Sequence, residues 1–249
     1  MKKILLYSSV ALGIFTLCQF SNISSFQSQA KEHRPNTSGK INKNIYTVKA
    51  GISNFYIVTN TIDYICIDAG SNLKKAKQEL HKLNINPEKI QILLLTHSDQ
   101  DHTTALSLFK NAQIYLSIDE EEMVLNKKRR LFGFINNKLP NNYYILNDGC
   151  EINIGDIKVR AIATPGHTSG STSYLVNNHM LFTGDTLSLK NGKAALFTPS
   201  FFNMDEKTQE KSIKKLALLE NIAFLCTAHH GYTDKFKFAM KEWRNELEN

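Results

Sequence analysis

Residues 96–102 read THSDQDH, which places two histidines and two aspartates directly after the apolar run Ile90-Gln-Ile-Leu-Leu-Leu95. The run is short, β-branched and leucine-rich, with Pro87 upstream and polar residues downstream, so it reads as a strand buried on both faces. A buried strand that stops on His, Asp, Asp and His gathers the donor types that hold a cation. Open α/β sheets bind ligands at the carboxyl ends of their strands, and a helix over 102–110 would carry Asp101 and His102 on its first turn. The spacing therefore aims His97, Asp99, Asp101 and His102 at one point.

Three more segments repeat the pattern of an apolar strand ending in a potential ligand. They are VRAIATPGH ending on His167, MLFTGD ending on Asp185, and IAFLCTAHHG with His229 and His230. Each alone fits a cap or a turn former. Together with the first cluster they converge on a metal site.

Five motifs now stand in order: IDAG ending at Gly70, HSDQDH from His97, TPGHTSGS from Thr164, FTGDT from Phe182 and AHHG from Ala228. In this the chain resembles the metallo-β-lactamase superfamily. The resemblance implies an αββα sandwich of the α/β class, two mixed β-sheets flanked by helices. It also implies a dinuclear site, with His97, Asp99 and His167 on one metal, Asp101, His102 and His230 on the other, and Asp185 bridging. His230 directly precedes glycine, as in the family's His-Gly pair, and His229 is the alternative. Asp68 resembles the carboxylate that orients a ligand histidine through its distal ring N–H.

Family hydrolases usually carry histidine where Asp99 stands. An aspartate there adds charge and a hard oxygen donor, which favours iron or manganese relative to an all-imidazole site; zinc also accepts carboxylates and stays the expected ion, with iron or manganese as alternatives. Two divalent ions in such a site lower the pKa of a shared water and polarise a substrate oxygen, and Asp101 could orient the nucleophile and pass on its proton. The expected function is a metal-dependent hydrolase acting on a small-molecule ester, thioester, lactone, lactam or phosphodiester. The family's β-lactamases lack a bridging aspartate, so Asp185 resembles the thioesterase, lactonase and phosphodiesterase branches instead. Two alternatives are a diiron oxygen or nitric oxide redox or sensing protein, which resembles the site through the carboxylate at Asp99, and a non-catalytic metal-binding module.

Two stretches are candidates for substrate contact: 126–144, rich in Lys, Arg and aromatics, which reads equally as a solvated helix end and loop, and 190–203, whose Phe197, Phe201 and Phe202 wall a pocket or, the favoured reading, fill the core. Lys127, Lys128, Arg129 and Arg130 would draw an anionic substrate by their field alone. Tyr232, next to the last motif, is a further candidate contact.

At the amino terminus Lys2 and Lys3 precede an apolar stretch that leads to Ser28-Gln-Ala30, the pattern of a signal peptide over 1–30. The expected protein is exported, periplasmic or secreted, and meets a membrane only transiently through that signal; an uncleaved anchor is the alternative. Residues 31–43 are polar and suit a flexible leader, and 44–249 form the domain. Net charge is +7, two of it in the signal segment. The remaining basicity is mild and lacks a stacking platform, so no nucleic acid is expected as a partner. Cys66 and Cys226 sit in apolar strands and imply buried thiols rather than a disulfide framework.

Hydrophobic periodicity predicts strands over 45–49, 54–58, 64–68, 90–96, 113–116, 151–154, 157–163, 172–176 and 222–227. It predicts helices over 73–83, 102–110, 119–126, 206–219 and 234–248.

Overall fold

The computed structural model describes residues 34–60, 62–129, 139, 142–197 and 200–248. The expected signal segment lies outside them, as does most of the loop proposed over 126–144. Among the described residues no helix is long and apolar enough to cross a membrane.

Fifteen strands and six helices alternate along the described chain. The first sheet holds β1 (Gly39–Lys40), β2 (Ile45–Ala50), β3 (Ser53–Thr59), β4 (Tyr64–Ile67), β5 (Ile92–Leu94), β6 (Gln113–Leu116) and β7 (Tyr143–Ile145) in that order. Its first four strands pair antiparallel, and β4 to β7 run parallel. The second sheet has the order β15 (Tyr232–Thr233), β14 (Phe224–Cys226), β11 (Met180–Phe182), β10 (Thr172–Val176), β9 (Ile157–Ala163), β8 (Glu151–Ile154). Only β11 and β14 in it are parallel. A separate hairpin joins β12 (Ser188–Lys190) to β13 (Lys193–Ala195).

The period-2 alternation of the strands sorts their side chains into layers. In β3, Tyr56 and Val58 face the core between the sheets, where they meet Tyr174 and Val176 of β10 and Phe182 of β11. Phe55 and Ile57 face the opposite way, onto Ala76 and Leu80 of helix α1 (Leu73–Lys82). On the far side of the second sheet, Leu175, Leu181 and Leu225 pack on Ile213 and Leu216 of α4 (Glu206–Ala217). Trp243 of α6 (Lys241–Glu248) closes that layer. The result is the expected αββα sandwich. Asn72 caps α1 and Asp205 caps α4 by accepting from the third residue on, as their types favour.

Several elements depart from the periodicity. The helix expected over 102–110 is one short turn, α2 (Gln100–Thr103), followed by a 3-10 turn, Leu106–Leu108. Thr103 and Thr104 turn their hydroxyls back onto the carbonyls of Asp99 and Gln100, and the Thr104 N–H is shared with Gly70 O, so the helix does not extend. The helix expected over 234–248 is divided into α5 (Phe236–Ala239) and α6. Within the segment expected as a flexible leader, Gly39–Lys40 instead forms β1 on β2, because Asn36 and Asn54 exchange hydrogen bonds that dock the chain ahead of it.

Candidate metal centre

The carboxyl ends of β4, β5, β9, β11 and β14 point to one edge of the sandwich, and each delivers a polar side chain there. Asp68 follows β4, His97 follows β5, His167 follows β9, Asp185 follows β11 and His229 follows β14. Asp99 stands at the N-cap position of α2, without a side-chain capping bond, and α2 carries Asp101 and His102. Helix α3 (Ile118–Val124) starts alongside, from Ser117 as its cap.

Two groups of donors form. Asp101, His102, Asp185 and His229 offer one atom each within 4.8 Å of one another, as do His97, His167 and Asp185. Asp99 Oδ2 adds to the second group, 3.5 Å from His97 Nε2 and 3.4 Å from His167 Nε2. Asp185 belongs to both. Its Oδ2 lies 3.4 Å from His167 Nε2 and 3.3 Å from His229 Nε2, and its Oδ1 lies 3.5 Å from His102 Nε2. Asp101 Oδ2 is 3.0 Å from His229 Nε2 and 3.6 Å from His102 Nε2.

Each imidazole is held by its other nitrogen. The Nδ1 atoms meet Thr96 Oγ1 for His97, Asp68 Oδ2 for His102, Asn203 Oδ1 for His167 and Ile52 O for His229, at 3.0, 2.8, 3.0 and 2.8 Å. The three oxygens of Asp68, Asn203 and Ile52 accept, so those Nδ1 atoms donate and Nε2 is the atom turned into the cluster. Asp68 does this with a left-handed backbone, φ 63°, a conformation that Asp tolerates better than most residues. It also accepts from Thr96 N–H at 2.8 Å.

The donors fit metal ions. His97 Nε2, His102 Nε2 and Asp185 Oδ1 are buried without a hydrogen-bond partner, a state that costs free energy unless a cation completes it. Ligands around tetrahedral zinc at ~2.0–2.1 Å sit about 3.3–3.4 Å from each other, and the carboxylate–imidazole separations in the two groups span 3.0–3.9 Å, on either side of that value. The buried Asp185 contrasts with Asp99 and Asp101, whose side chains are 17% and 23% exposed, so the open side of the cluster is lined by carboxylates.

Charge is arranged to match. Burial, then the charge of His102, pushes His97 down to about 4. Burial opposes the charge on His229 too, yet Asp185 and Asp101 together raise it to about 10. His102 is likewise raised by Asp185, Asp68 and Asp101 against burial. Burial works against the Asp185 carboxylate as well, but His229 and His102 hold it well below the usual range. An entering cation takes over from these protons as the counter-charge.

Six of the seven expected ligand residues come together: His97, Asp99, Asp101, His102, His167 and Asp185. The seventh is corrected. His229 joins the cluster where His230 was expected, because the turn after β14 closes through Thr227 N–H and Oγ1 to Gly231 O. In that turn the His230 N–H folds back onto Thr227 Oγ1 while His229 anchors to Ile52 O. Tyr232, the further candidate for substrate contact, lies in β15, partly buried and packed against the core between the sheets.

Other residues support the cluster, and of these Gln209 and Asn203 carry no signal in the sequence. Gln209 of α4 is buried and donates through Nε2 to the carbonyls of Asp185 and Thr186. Asn203 links His167 to Phe197 O. The buried Phe197 ring stands 4.8 Å from His167 and 5.4 Å from His229, so it walls the site as well as filling space. Phe201 is exposed, its ring centred 4.4 Å from that of Phe202 and tilted 42° to it.

The family model described as the metallo-beta-lactamase superfamily matches residues 48–229. The chain belongs to that superfamily. A Methanocaldococcus jannaschii protein named "probable metallo-hydrolase" is 32% identical over 160 residues, covering 64% of this chain and 66% of its own. A "probable polyketide biosynthesis zinc-dependent hydrolase" of Bacillus velezensis is 32% identical over 126 residues, 49% of either chain. A hydroxyacylglutathione hydrolase of Aeromonas salmonicida is 28% identical over 202 residues, 78% of this chain and 68% of its own. The chain thus spans about half to two thirds of these curated relatives. Among solved structures, a B3 metallo-beta-lactamase with an active-site glutamic acid superposes with a TM-score of 0.68 at 19% identity, covering 89% of this chain and 91% of its own. An archaeal superfamily protein from Sulfolobus tokodaii gives 0.59 at 23% identity, with 83% and 87% covered. These two establish the fold.

These curated relatives carry hydrolase names, and this chain offers the His and Asp donor set of a divalent-metal site.

Proposed function

We propose that the chain hydrolyses an ester or thioester of a small molecule at a dinuclear centre. His97, Asp99 and His167 would hold one ion and Asp101, His102 and His229 the other, with Asp185 shared between the two groups. The observation that carries this reading is the place of Asp185, which offers one oxygen toward His102 and the other toward His167. Zinc is the ion favoured by the donor spacing and by the zinc-dependent relative. When bound, the ions supply electrophilic pull on a substrate oxygen and acidify water.

The chain's own residues do the rest. The fixed Nδ1 contacts set each imidazole before a substrate arrives, so no reorganisation is needed at that moment. Asp101 is the more exposed of the two outer carboxylates, and we assign it the proton from an attacking water and its return to the leaving group. Phe197 offers an apolar wall beside the site. The thioester class is favoured because a relative of this chain acts on hydroxyacylglutathione, a thioester. The sequence pattern of residues 1–30 supports export, and the amino-terminal sequence of the mature protein from its native host tests it.

The test is hydrolysis by metal-loaded protein of model thioesters, aryl esters, lactones, β-lactams and phosphodiesters. Ester or thioester turnover that a chelator abolishes and zinc restores is expected. Turnover confined to lactams or phosphodiesters would refute the ester and thioester reading, and turnover unaffected by chelation would refute the metal.

A further inference from the structure

Among the described residues, the buried acids are Asp68, Glu120 and Asp185. Asp68 and Asp185 touch the histidines. Glu120 does not, and at 1% exposure it is a carboxylate that the proposed chemistry leaves unused. A buried carboxylate is costly unless its oxygens are well satisfied.

The partners of Glu120 come from two separate motifs. Its Oε1 accepts from Ser98 N–H at 2.7 Å and from Ser98 Oγ at 2.5 Å. Its Oε2 accepts from Thr168 Oγ1 at 2.6 Å. Ser98 stands between His97 and Asp99, and Thr168 directly follows His167. One carboxylate therefore grips the immediate neighbours of all three residues assigned to one ion, and of none assigned solely to the other.

The grip is itself anchored. Glu120 N–H donates to Ser117 Oγ, which donates to Gly170 O, while Thr168 Oγ1 also meets Ser171 Oγ at 2.8 Å. A Cβ on Gly170 would collide with the backbone of Glu120, so the loop after His167 lies directly on the first turn of α3. A carboxylate suits this place because it only accepts, through two oxygens at once, and both loops present donors.

We propose that Glu120 is a positioning residue that presets the His97–Asp99–His167 group for its metal ion. This rests on the dinuclear reading above. Glu120 fixes the separation of two loops that are far apart in sequence, and so sets the distance between His97 and His167 before metal arrives. Loss of comparable outer partners weakens metal affinity about 10- to 100-fold.

The test is stepwise cobalt(II) titration of the full chain, followed by visible absorption and by competition with a chelator. Wild type, Glu120→Ala, Glu120→Gln, Thr168→Val and Asp68→Asn are compared, the last acting on His102 in the other group. Glu120→Ala should weaken one binding step about 10- to 100-fold and shift its absorption bands, and that step should differ from the one weakened by Asp68→Asn. Glu120→Gln should lie near wild type, since its amide can accept from Ser98 and donate to Thr168 Oγ1. Thr168→Val removes one bond of three and should weaken the same step less; it carries the test if Glu120→Ala does not fold. Unchanged binding in Thr168→Val and Glu120→Ala, or equal weakening of both steps as a general loss of stability would give, overturns the proposal. Wild type that binds no cobalt overturns the dinuclear reading itself, and with it this inference.

Discussion

Asp68→Asn isolates the electronic part of the site from its shape. Asparagine also accepts a left-handed backbone, so the φ of 63° adds no strain. Its carbonyl oxygen keeps the 2.8 Å bond from Thr96 N–H. The other terminus becomes an NH2 group facing His102 Nδ1, where Asp68 Oδ2 stands at 2.8 Å. Two donors then oppose each other, and His102 relieves the clash only by moving its proton to Nε2, which removes the lone pair aimed into the cluster. A hydrogen bond to a charged group contributes ~1.5–3 kcal/mol, equivalent to about a 10- to 150-fold change in affinity. The expected outcome is a loss of that size in one of two metal-binding steps, read by titration against a chromophoric chelator, with the other step retained. Unaltered affinity, or the same loss at both steps, would refute the idea that Asp68 acts through the His102 tautomer.

Further expectations follow from the same geometry. His229→Gln should lose one metal ion per chain by elemental analysis while His230→Gln keeps both, and the reverse would restore the motif-based choice. Asp185→Ala should abolish the paired site, leaving metal content below wild type at equal free zinc. Loading with metal at a thousand times Kd should stabilise the fold by about 4 kcal/mol, which raises Tm by about 8–16 °C for a domain of this size in a calorimetric scan. Gly231→Ala should destabilise by about 1–3 kcal/mol in chemical denaturation, since φ is 72° there and a Cβ would collide with the Asn36 side chain.

Much of the site was legible because the chemistry lies at strand ends. The apolar runs fix which residues are strands, and the polar residue that follows each run is delivered to the same edge of the sandwich. His97, Asp99, Asp101, His102, His167 and Asp185 were found that way. The choice between His229 and His230 was not open to this reasoning, because both follow β14 and only the closed turn from Thr227 to Gly231 decides which ring faces inward. Glu120, Asn203 and Gln209 left no local trace either. Their partners stand 22 to 48 residues away for Glu120 and 36 for Asn203, so the contacts exist only once the sheets are stacked. The short helix α2 shows the opposite limit: the apolar spacing over 102–110 favours a longer helix, and threonine back-bonding with a tertiary bond to Gly70 prevails.

The central claim is that one aspartate joins two metal groups built from these four histidines. Anomalous scattering at the zinc edge from crystals of zinc-loaded protein tests it most directly. Two peaks are predicted, one among His97, Asp99 and His167 and one among Asp101, His102 and His229, with Asp185 touching both. A single peak, or two peaks with Asp185 turned away from either, would contradict it.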